Sequence, residues 1–270
     1  MAIKLGIIGA AGRMGRRIGV LACQDERFTV ACAIERPDHP GQGVDFGELI
    51  GLGKLDLSIS STWSTRLEVL IDFTTPEATI KFLSSAQKDS VPMVIGTTGL
   101  SASQLDRLKI AAKDIPVLHA ANMSLGVNLL FHLVGQVAAA LGDDYDIEIT
   151  ETHHRFKKDA PSGTALELAR RICAATGRDF NNCLTHGREG READRQPGTI
   201  GMHARRQGDV VGEHTIAFST LGETVELSHK AHSRDIFARG ALEAAAWLVG
   251  KNPGLYNMLH VLGMQNTPPT

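Results

Sequence analysis

The feature that most limits the fold of this chain is a glycine-rich segment near its N-terminus. The segment GAAGRMG (9–15) directly follows a short apolar run, Ile3–Ile8, and opens a stretch with helical spacing of apolar residues. Glycines at a strand-to-helix turn let the backbone approach a pyrophosphate, whose charge is stabilised by the helix N-terminus. The spacing is G-x-x-G-x-x-G and not the commoner G-x-G-x-x-G, so its context supports a dinucleotide site more than the pattern does. A glycine-rich turn without a ligand is the alternative.

The rest of the first half alternates short apolar runs with helical stretches. Apolar runs lie at 28–35, 69–73, 91–95 and 117–121, and a long apolar helix is expected from about 124 to 141. Strands of nearly continuous apolar character, separated by helices, are typical of a parallel sheet covered on both faces. The fold class we predict is therefore α/β, with a Rossmann-like parallel-sheet dinucleotide-binding domain at 1–124.

The pattern changes after residue 144. Polar and apolar residues alternate at 146–152, 199–205, 213–219 and 223–230, with one predicted helix at 164–175 and helical spacing again after 233. Such strands have one wet or ligand-facing side, as in antiparallel or mixed sheets. We predict an α+β domain with a mixed sheet at 125–233 and a C-terminal segment, 234–270, that returns to the first domain.

Charge and composition narrow the partners and the compartment. The formal net charge is -2, which provides no global basic field for nucleic acid or an anionic membrane. No apolar run approaches the ~20 residues that span a bilayer, and the N-terminus lacks the pattern of a signal peptide. The four cysteines are scattered without metal-ligand spacing, which is typical of reduced thiols. We expect a cytoplasmic protein with no nucleic-acid or membrane partner.

An acidic and a basic residue follow the second apolar run, where a dinucleotide's ribose is expected. A carboxylate at Glu35 can accept hydrogen bonds from the ribose of NAD(H), and Arg36 can meet the 2′-phosphate of NADP(H). Because both are present, NADPH or NADH is the expected cofactor. Arg13 is either a second positive charge near the phosphates or a solvated residue of the first helical turn.

Two further loops follow predicted strands at the edge where ligands of open α/β sheets bind. They are GTTG (96–99) and ANMS (121–124). The small residues and hydroxyls of the first loop would let a flat nicotinamide ring approach the backbone. An ordinary strand-to-helix turn is the alternative.

The segment ETHHRFKKDAPSGTA (151–165) concentrates titratable and positive side chains before a predicted helix. If the strand persists to its end, His153 and His154 point to opposite faces and are poor joint ligands for one metal, so no metal site is expected. Thr164, with Glu167 three residues later, predicts a capping box. Helix N–H groups, two hydroxyls and Lys157 then make a cradle suited to a small carboxylate. An ordinary capped helix after a loop is the alternative.

A nicotinamide in one domain and a carboxylate cradle in the other suggest hydride transfer with proton donation. Hydride arriving at an unsaturated carbon of a C=N or conjugated system leaves negative charge that a nearby acid must quench. His153 or Lys157 is the candidate acid, and histidine titrates near neutral pH with little tuning.

The motifs together resemble the 4-hydroxy-tetrahydrodipicolinate reductase (dihydrodipicolinate reductase) family of diaminopimelate and lysine biosynthesis. The resemblance covers essentially the whole chain and depends most on E-x-H-H-x-x-K-x-D-A-P-S-G-T-A at 151–165. Further matching motifs, in the family's order, are GAAGRMG, IDFTTPE, VIGTTG, AANMSLGVN, PGTIG, GDVVGEHT and SHKAHSR. Met123 stands where phenylalanine is frequent in the family.

The resemblance implies site residues and an assembly. It makes His153 the acid/base and Lys157 a second donor. The residues implied to hold the substrate's carboxylates are His154, Lys157, Ser162, Gly163 and Thr164. The residues implied to contact the cofactor are Gly9, Gly12, Arg13, Met14, Glu35, Arg36, Phe73, Gly96, Thr97, Thr98, Ala121, Asn122 and Met123. It also implies a small cyclic dicarboxylate substrate and a homotetramer built through the mixed sheet.

We therefore predict an NAD(P)H-dependent reductase that converts 4-hydroxy-tetrahydrodipicolinate to tetrahydrodipicolinate with loss of water. One alternative is a related Rossmann reductase of another imino or amino dicarboxylate, such as an aspartate dehydrogenase. A nucleotide-sensing protein without chemistry is the other, but it leaves His153 and Lys157 without a purpose.

Overall fold

The structure, a computed structural model, describes residues 1–264. The strands in chain order are β1 (Ile3–Ile8), β2 (Phe28–Ile34), β3 (Ile59–Ser60), β4 (Val69–Asp72), β5 (Met93–Ile95), β6 (Pro116–His119), β7 (Asp146–His153), β8 (Leu184–His186), β9 (Ile200–Arg206), β10 (Gly212–Thr220), β11 (Glu223–Ala231) and β12 (Gly254–Tyr256). The helices are α1 (Arg13–Cys23), α2 (Phe46–Ile50), α3 (Pro76–Lys88), α4 (Ala102–Ala111), α5 (Leu125–Leu141), α6 (Gly163–Thr176), α7 (Asp235–Leu248) and α8 (Met258–Val261).

The chain forms two compact units. The first consists of Met1–Leu125 together with the chain from Asp235 onward, and the second is Gly126–Arg234. The last residues of the predicted C-terminal segment, 265–270, lie outside the described residues.

Within residues 1–264, the first unit contains a seven-stranded sheet in the order β12-β6-β5-β4-β1-β2-β3, and every pairing is parallel. The central strands are mostly apolar because both faces are covered. Ile7 packs with Ile18 of α1 and Ala241 of α7 on one face. Its neighbour Ile8 packs with Phe82 of α3 on the other face. This confirms the predicted Rossmann-like α/β class.

Helix α7 is the element by which the C-terminal part of the chain joins the first unit. Gly240 on α7 allows a close approach, since a Cβ there would lie 1.8 Å from the carbonyl oxygen of Met123. The helix is also held by ion pairs to Asp235 and Glu243 from arginines in or just after α1, Arg17 at 2.5 Å and Arg27 at 2.5 Å. These contacts anchor the return of the chain after the second unit.

The second unit contains a five-stranded mixed sheet in the order β11-β10-β7-β9-β8. Strand β10 is antiparallel to β7 and β11, whereas β9 is parallel to β7 and β8. Alternate residues such as Ile149 and Phe218 face a core shared with Val134 of α5 and Leu168 of α6. The mixed sheet confirms the second part of the predicted fold class.

Candidate active site

The glycine loop of the first unit has the geometry that a pyrophosphate requires. Gly9 has φ +77°, which favours glycine, and a Cβ on Gly15 would lie 2.1 Å from the Gly9 carbonyl oxygen. Gly12 is the N-cap of α1, and neither a side-chain cap nor an acidic residue occupies the first turn. The first-turn N–H groups are therefore left for an anion, which fits a dinucleotide phosphate.

The ribose-binding candidates lie beside this loop. One carboxylate oxygen of Glu35 accepts the Ala11 N–H at 2.9 Å, so Glu35 also braces the glycine loop. Arg36 is exposed and lies 3.5 Å from an Asp38 oxygen. Neither contact uses all the hydrogen-bonding capacity of these side chains, which leaves both able to meet a ribose or its phosphate.

A buried carboxylate organises the next two strand ends. Asp72, at the end of β4, is fully buried and accepts hydrogen bonds from the hydroxyls of Thr74 at 2.6 Å, Thr79 at 2.5 Å and Thr97 at 3.2 Å. Burial raises the pKa of Asp72, against the effect of these hydroxyls. Thr97 is thereby held at the head of the GTTG loop, an arrangement that the sequence did not indicate.

Phe73 and Gly96 are in direct contact at the same edge. A Cβ on Gly96 would lie 2.3 Å from the Phe73 ring, so the ring occupies the space above the glycine. Thr98 and Ala121 are exposed, and Asn122 accepts the Ser124 N–H at 2.9 Å. Met123 is 1% exposed and its side chain belongs to the core. The Met123 side chain is thus not available to a ligand.

In the second unit the predicted acid/base is tied to a buried carboxylate. Strand β7 ends at His153, and Glu151 lies two residues earlier on the same face of the sheet. The Glu151 side chain is 0% exposed, and its oxygen accepts a hydrogen bond from His153 Nδ1 at 2.5 Å. Arg206 of β9 donates to both carboxylate oxygens, at 2.9 Å and 3.0 Å. The Ser162 N–H is a fourth donor, at 3.0 Å.

The surroundings set the charges of this group. Burial opposes ionisation of Glu151, but Arg206 and His153 outweigh it and hold the pKa of that carboxyl below its usual value. Burial also lowers the pKa of His153, helped by Lys157 and Arg206 and opposed by Glu151. The resting state is therefore an anionic Glu151 beside a neutral His153 at neutral pH.

His153 is enclosed by β10. Its ring contacts the His214 ring edge-on with centroids 5.2 Å apart, and a Cβ on Gly212 would lie 3.1 Å from His153 Nε2. His214 lies directly opposite Glu151 in the antiparallel register of β10 and β7. Its Nε2 lies 3.1 Å from the Ser162 hydroxyl. Gly212 thus leaves the space around the second nitrogen of His153 open.

Lys157 and His154 lie in the loop after β7. The Lys157 ammonium donates to both oxygens of Asp159 at 2.8 Å. His154 is beyond the end of the strand, and its Nε2 lies 3.4 Å from the Arg234 guanidinium. Because a guanidinium only donates, His154 Nε2 is the acceptor in this contact.

The N-cap of the helix that would form the carboxylate cradle lies two residues earlier than the sequence pattern indicated. The N-cap of α6 is Ser162, whose hydroxyl accepts the Ala165 N–H at 3.2 Å. The predicted capping box of Thr164 and Glu167 is wrong, because Thr164 already lies inside the helix and Glu167 pairs with Arg171 at 2.8 Å. Gly163 is exposed and Thr164 is half-buried at the start of the helix.

Three residues of this site have roles that were not predicted from the sequence: Glu151, which orients His153, and both Arg206 and His214. Glu151 was part of the motif, and its two-residue spacing from His153 on a strand was the available signal. His214 lies in the motif GDVVGEHT, but no sequence pattern places it or Arg206 beside Glu151, because both come from strands distant in sequence.

Residues 1–264 contain neither a metal-binding arrangement nor a membrane-spanning helix. None of the groups of His, Cys, Asp and Glu side chains in this range is arranged to hold a metal ion. No helix in the same range is both long and apolar enough to cross a membrane.

A parallel-sheet unit with a dinucleotide loop, together with a mixed-sheet unit bearing a histidine–carboxylate group, defines a two-domain Rossmann-type reductase. The chain matches the family models "Dihydrodipicolinate reductase, N-terminus" over residues 3–123 and "Dihydrodipicolinate reductase, C-terminus" over 126–262. The chain belongs to the dihydrodipicolinate reductase family and is an oxidoreductase.

Curated relatives and solved structures agree with this membership. The chain is 46% identical to the 4-hydroxy-tetrahydrodipicolinate reductase of Hahella chejuensis over 97% of this chain and 99% of the relative. It is 45% identical to the enzyme of the same name from Syntrophus aciditrophicus over 98% of this chain and 100% of the relative. The dipicolinate-bound dihydrodipicolinate reductase from Paenisporosarcina sp. TG-14 shares the fold, with a TM-score of 0.76, 22% identity and coverage of 96% of this chain and 98% of that chain.

Proposed function

We propose that this chain catalyses the NAD(P)H-dependent reduction of 4-hydroxy-tetrahydrodipicolinate to tetrahydrodipicolinate in diaminopimelate and lysine biosynthesis. One hydride and one proton enter, and one water leaves. The observation that carries the proposal is that Glu151 holds His153 and the Ser162 N–H together, which puts a titratable imidazole beside a helix start suited to a carboxylate.

The first unit would hold the dinucleotide, which supplies hydride when bound. The glycine loop and the start of α1 would take the pyrophosphate, and Glu35 and Arg36 the adenosine ribose with or without its phosphate. Because Glu35 also braces Ala11 and Arg36 is exposed, we propose that NADH and NADPH are both accepted. Further contacts are proposed for Gly9, Gly12, Arg13, Met14, Phe73, Gly96, Thr97, Thr98, Ala121, Asn122 and the main chain of Met123.

The second unit would hold the dicarboxylate substrate. The N–H groups of Gly163 and Thr164, the Ser162 region and the Lys157 ammonium are suited to carboxylate oxygens. A substrate carboxylate would take the place that Asp159 fills beside Lys157. His154, which faces Arg234, is the further proposed contact.

Proton delivery is assigned to His153 together with Lys157. His153 is neutral in the free protein, because burial lowers its pKa. A bound dianion adds negative charge near the imidazole and so favours its protonated form. The Nε2 atom is the one that exchanges the proton, since Nδ1 is bonded to Glu151.

The first test replaces each proposed proton donor. His153→Ala and Lys157→Ala should each lower kcat ~100-fold or more while the fold persists, because positioned acid catalysis contributes on this scale. The measurement is steady-state oxidation of NADH and of NADPH with enzymatically generated substrate, alongside thermal melting. Near-normal turnover in both variants would contradict the assignment.

The same assay addresses substrate class. L-aspartate with an oxidised dinucleotide serves as the matched alternative substrate, and dipicolinate, which the Paenisporosarcina enzyme binds, serves as an inhibitor. Turnover of L-aspartate above that of the cyclic dicarboxylate would redirect the proposal to an amino-acid dehydrogenase.

We further propose that the enzyme is a cytoplasmic homotetramer assembled through the mixed sheet. The face of that sheet opposite α5 and α6 carries small and polar residues such as Thr215 and Ser228, whose hydroxyls lie 2.9 Å apart. The four cysteines are free thiols, in keeping with a reducing compartment. Sedimentation analysis of the full chain tests the assembly.

A further inference from the structure

The Glu151 carboxylate has no role in the proposed reaction so far, but it is surrounded by hydrogen-bond donors. An ionised carboxylate offers about four lone-pair positions, and Glu151 meets four donors: His153 Nδ1–H, the Ser162 N–H and two guanidinium N–H groups of Arg206. The side chain is 0% exposed, so none of these positions is left to bulk water. A buried anion is tolerated only when it is satisfied in this way.

The orientation of His153 follows from this contact. An anionic carboxylate only accepts, so the proton of the neutral imidazole lies on Nδ1 and Nε2 carries the lone pair. The ring is further confined by His214 on β10 and by Gly212, which faces Nε2. The nitrogen that can exchange a proton is therefore fixed by Glu151.

The same carboxylate fixes the start of α6. Its other oxygen accepts the N–H of Ser162, the N-cap residue whose hydroxyl begins the helix and lies 3.1 Å from His214. Arg206 reaches the same corner and also donates to the Asp159 carbonyl at 2.5 Å. One anion thus joins the end of β7, strand β9 and the first turn of α6.

We propose that Glu151, with Arg206 as its counter-ion, is the positioning residue of this reductase, setting the tautomer of His153 and aligning it with the carboxylate-binding start of α6. The proposal rests on the proposed roles of His153 and the α6 start. Glu151 acts through these groups and does not itself contact substrate.

Two substitutions should move the pH profile in opposite directions. Glu151→Gln removes the negative charge that favours the His153 imidazolium, so we expect kcat to fall ~10- to 100-fold and its alkaline limb to move to lower pH. Arg206→Met leaves Glu151 with His153 as its cationic partner, so the alkaline limb should move to higher pH. The groups that face His153 are Glu151 on β7, Arg206 on β9, His214 on β10 and Lys157 in the loop, with Asp159 paired to Lys157 and His229 beside His214.

Strand β7 provides a matched control. Glu148 accepts hydrogen bonds from Arg188, Arg195 and His203, so it has two arginines and a histidine as partners on the opposite face of the sheet. Glu148→Gln should lower the melting temperature but leave the kcat–pH midpoint in place. If Glu148→Gln shifts that midpoint as far as Glu151→Gln does, the proposal that Glu151 specifically positions His153 is contradicted.

Nitrogen NMR of histidine-labelled protein gives a readout that needs no turnover. The imidazole nitrogens of His153, assigned by their loss in His153→Ala, should report the Nδ1–H tautomer in the wild-type protein and a different state in Glu151→Gln. An Nε2–H tautomer in the wild type, or an unchanged tautomer and pH limb in Glu151→Gln, would overturn the proposal. If Glu151→Gln does not fold, the proposal is tested by the His153 tautomer in the wild-type spectrum and by the kcat–pH profile of Arg206→Met. Failure of the wild type to reduce the dicarboxylate defeats the proposed function instead, whatever the tautomer.

Discussion

At the scale of single residues, one anionic and two neutral side chains share one corner of the second unit. Glu151 is held anionic by Arg206 and His153, and His153 is neutral at rest. Burial lowers the pKa of His214 to about 4, and the neighbouring His153 adds to this. Each protonation state depends on neighbours that meet only in the folded protein. The free energy of unfolding therefore depends on pH through these groups.

His214 should make the protein sensitive to acid. Its pKa lies below the ordinary 6.5, so the unfolded chain binds a proton that the folded chain refuses between about pH 6.5 and 4. Stability therefore falls as pH drops through this window and gains nothing from this group above it. His214→Gln should reduce the slope of unfolding free energy against pH by about 1.4 kcal/mol per unit.

Urea unfolding between pH 4 and 7 measures that slope. His132→Gln, on α5, is the matched control, since its ring nitrogen lies 3.2 Å from Gln136 near the surface. Equal slopes for the wild type and His214→Gln would contradict the burial of a neutral imidazole.

The residues of the site were only partly predictable from sequence. The motif at 151–165 carried His153, Lys157 and the start of α6, because these are close in sequence. Arg206 and His214 reach Glu151 from neighbouring strands, and that meeting depends on strand order and register. The assignment of the helix cap to Thr164 failed because a capping pattern does not by itself specify which hydroxyl begins the helix.

At the scale of elements, the turn from β1 into α1 depends on glycines for different reasons. Gly9 adopts a left-handed φ, whereas Gly15 is needed because the helix passes close to the loop carbonyl. Gly19, one turn further on, accommodates the ring of Phe46, since a Cβ there would lie 2.4 Å from it. The first turn of α1 is thus the part proposed to meet a ligand, and the second turn is part of the packing against α2.

Gly15→Ala should weaken dinucleotide binding more than it weakens the fold. The added methyl would displace the Gly9 carbonyl and the loop that faces the pyrophosphate, so we expect the Kd for NADH to rise ~10-fold or more, the cost of one misplaced contact of about 1.4 kcal/mol. Gly19→Ala is the control in the same helix, and it should lower the melting temperature with little change in Kd. Fluorescence titration measures the Kd for NADH of both variants. Equal changes in Kd would contradict the different roles assigned to the first and second turns of α1.

Most strands were predictable from sequence, and several short elements were not. The apolar runs and the alternating segments located the main strands, including β5, whose three residues lie inside the apolar run at 91–95. Helix α2 and strands β3, β8 and β12 have two to five residues, and no predicted run covers them. Strand β12 also lies beside β6, a pairing that depends on the return of the chain through α7.

At the scale of the whole molecule, each unit has a core of its own and a different set of binding groups. The first unit has apolar clusters on both faces of its sheet, and the second has a single cluster beneath α5 and α6. A ligand that binds one folded unit stabilises it by mass action, by about 2.7 kcal/mol at a concentration of 100 Kd.

Ligands should therefore protect different segments from amide exchange. NADH should slow exchange in the first turns of α1 and the loops after β4, β5 and β6, whereas dipicolinate should slow exchange around the end of β7 and the start of α6. Hydrogen-exchange mass spectrometry on the full chain measures this. Protection of the glycine loop by dipicolinate alone would contradict the assignment of the dicarboxylate to the second unit.

The two carboxylate groups of β7 also bear on how the strand finds its place during folding. Glu148 meets two arginines and a histidine on one face, and Glu151 meets one arginine and a histidine on the other. A slip of one residue would turn every side chain of β7 to the opposite face, so both carboxylates would leave their cations and a threonine would take the buried place of Glu151. The partners of these two carboxylates therefore also favour the native register of β7, because a shifted register would leave both groups without their cations.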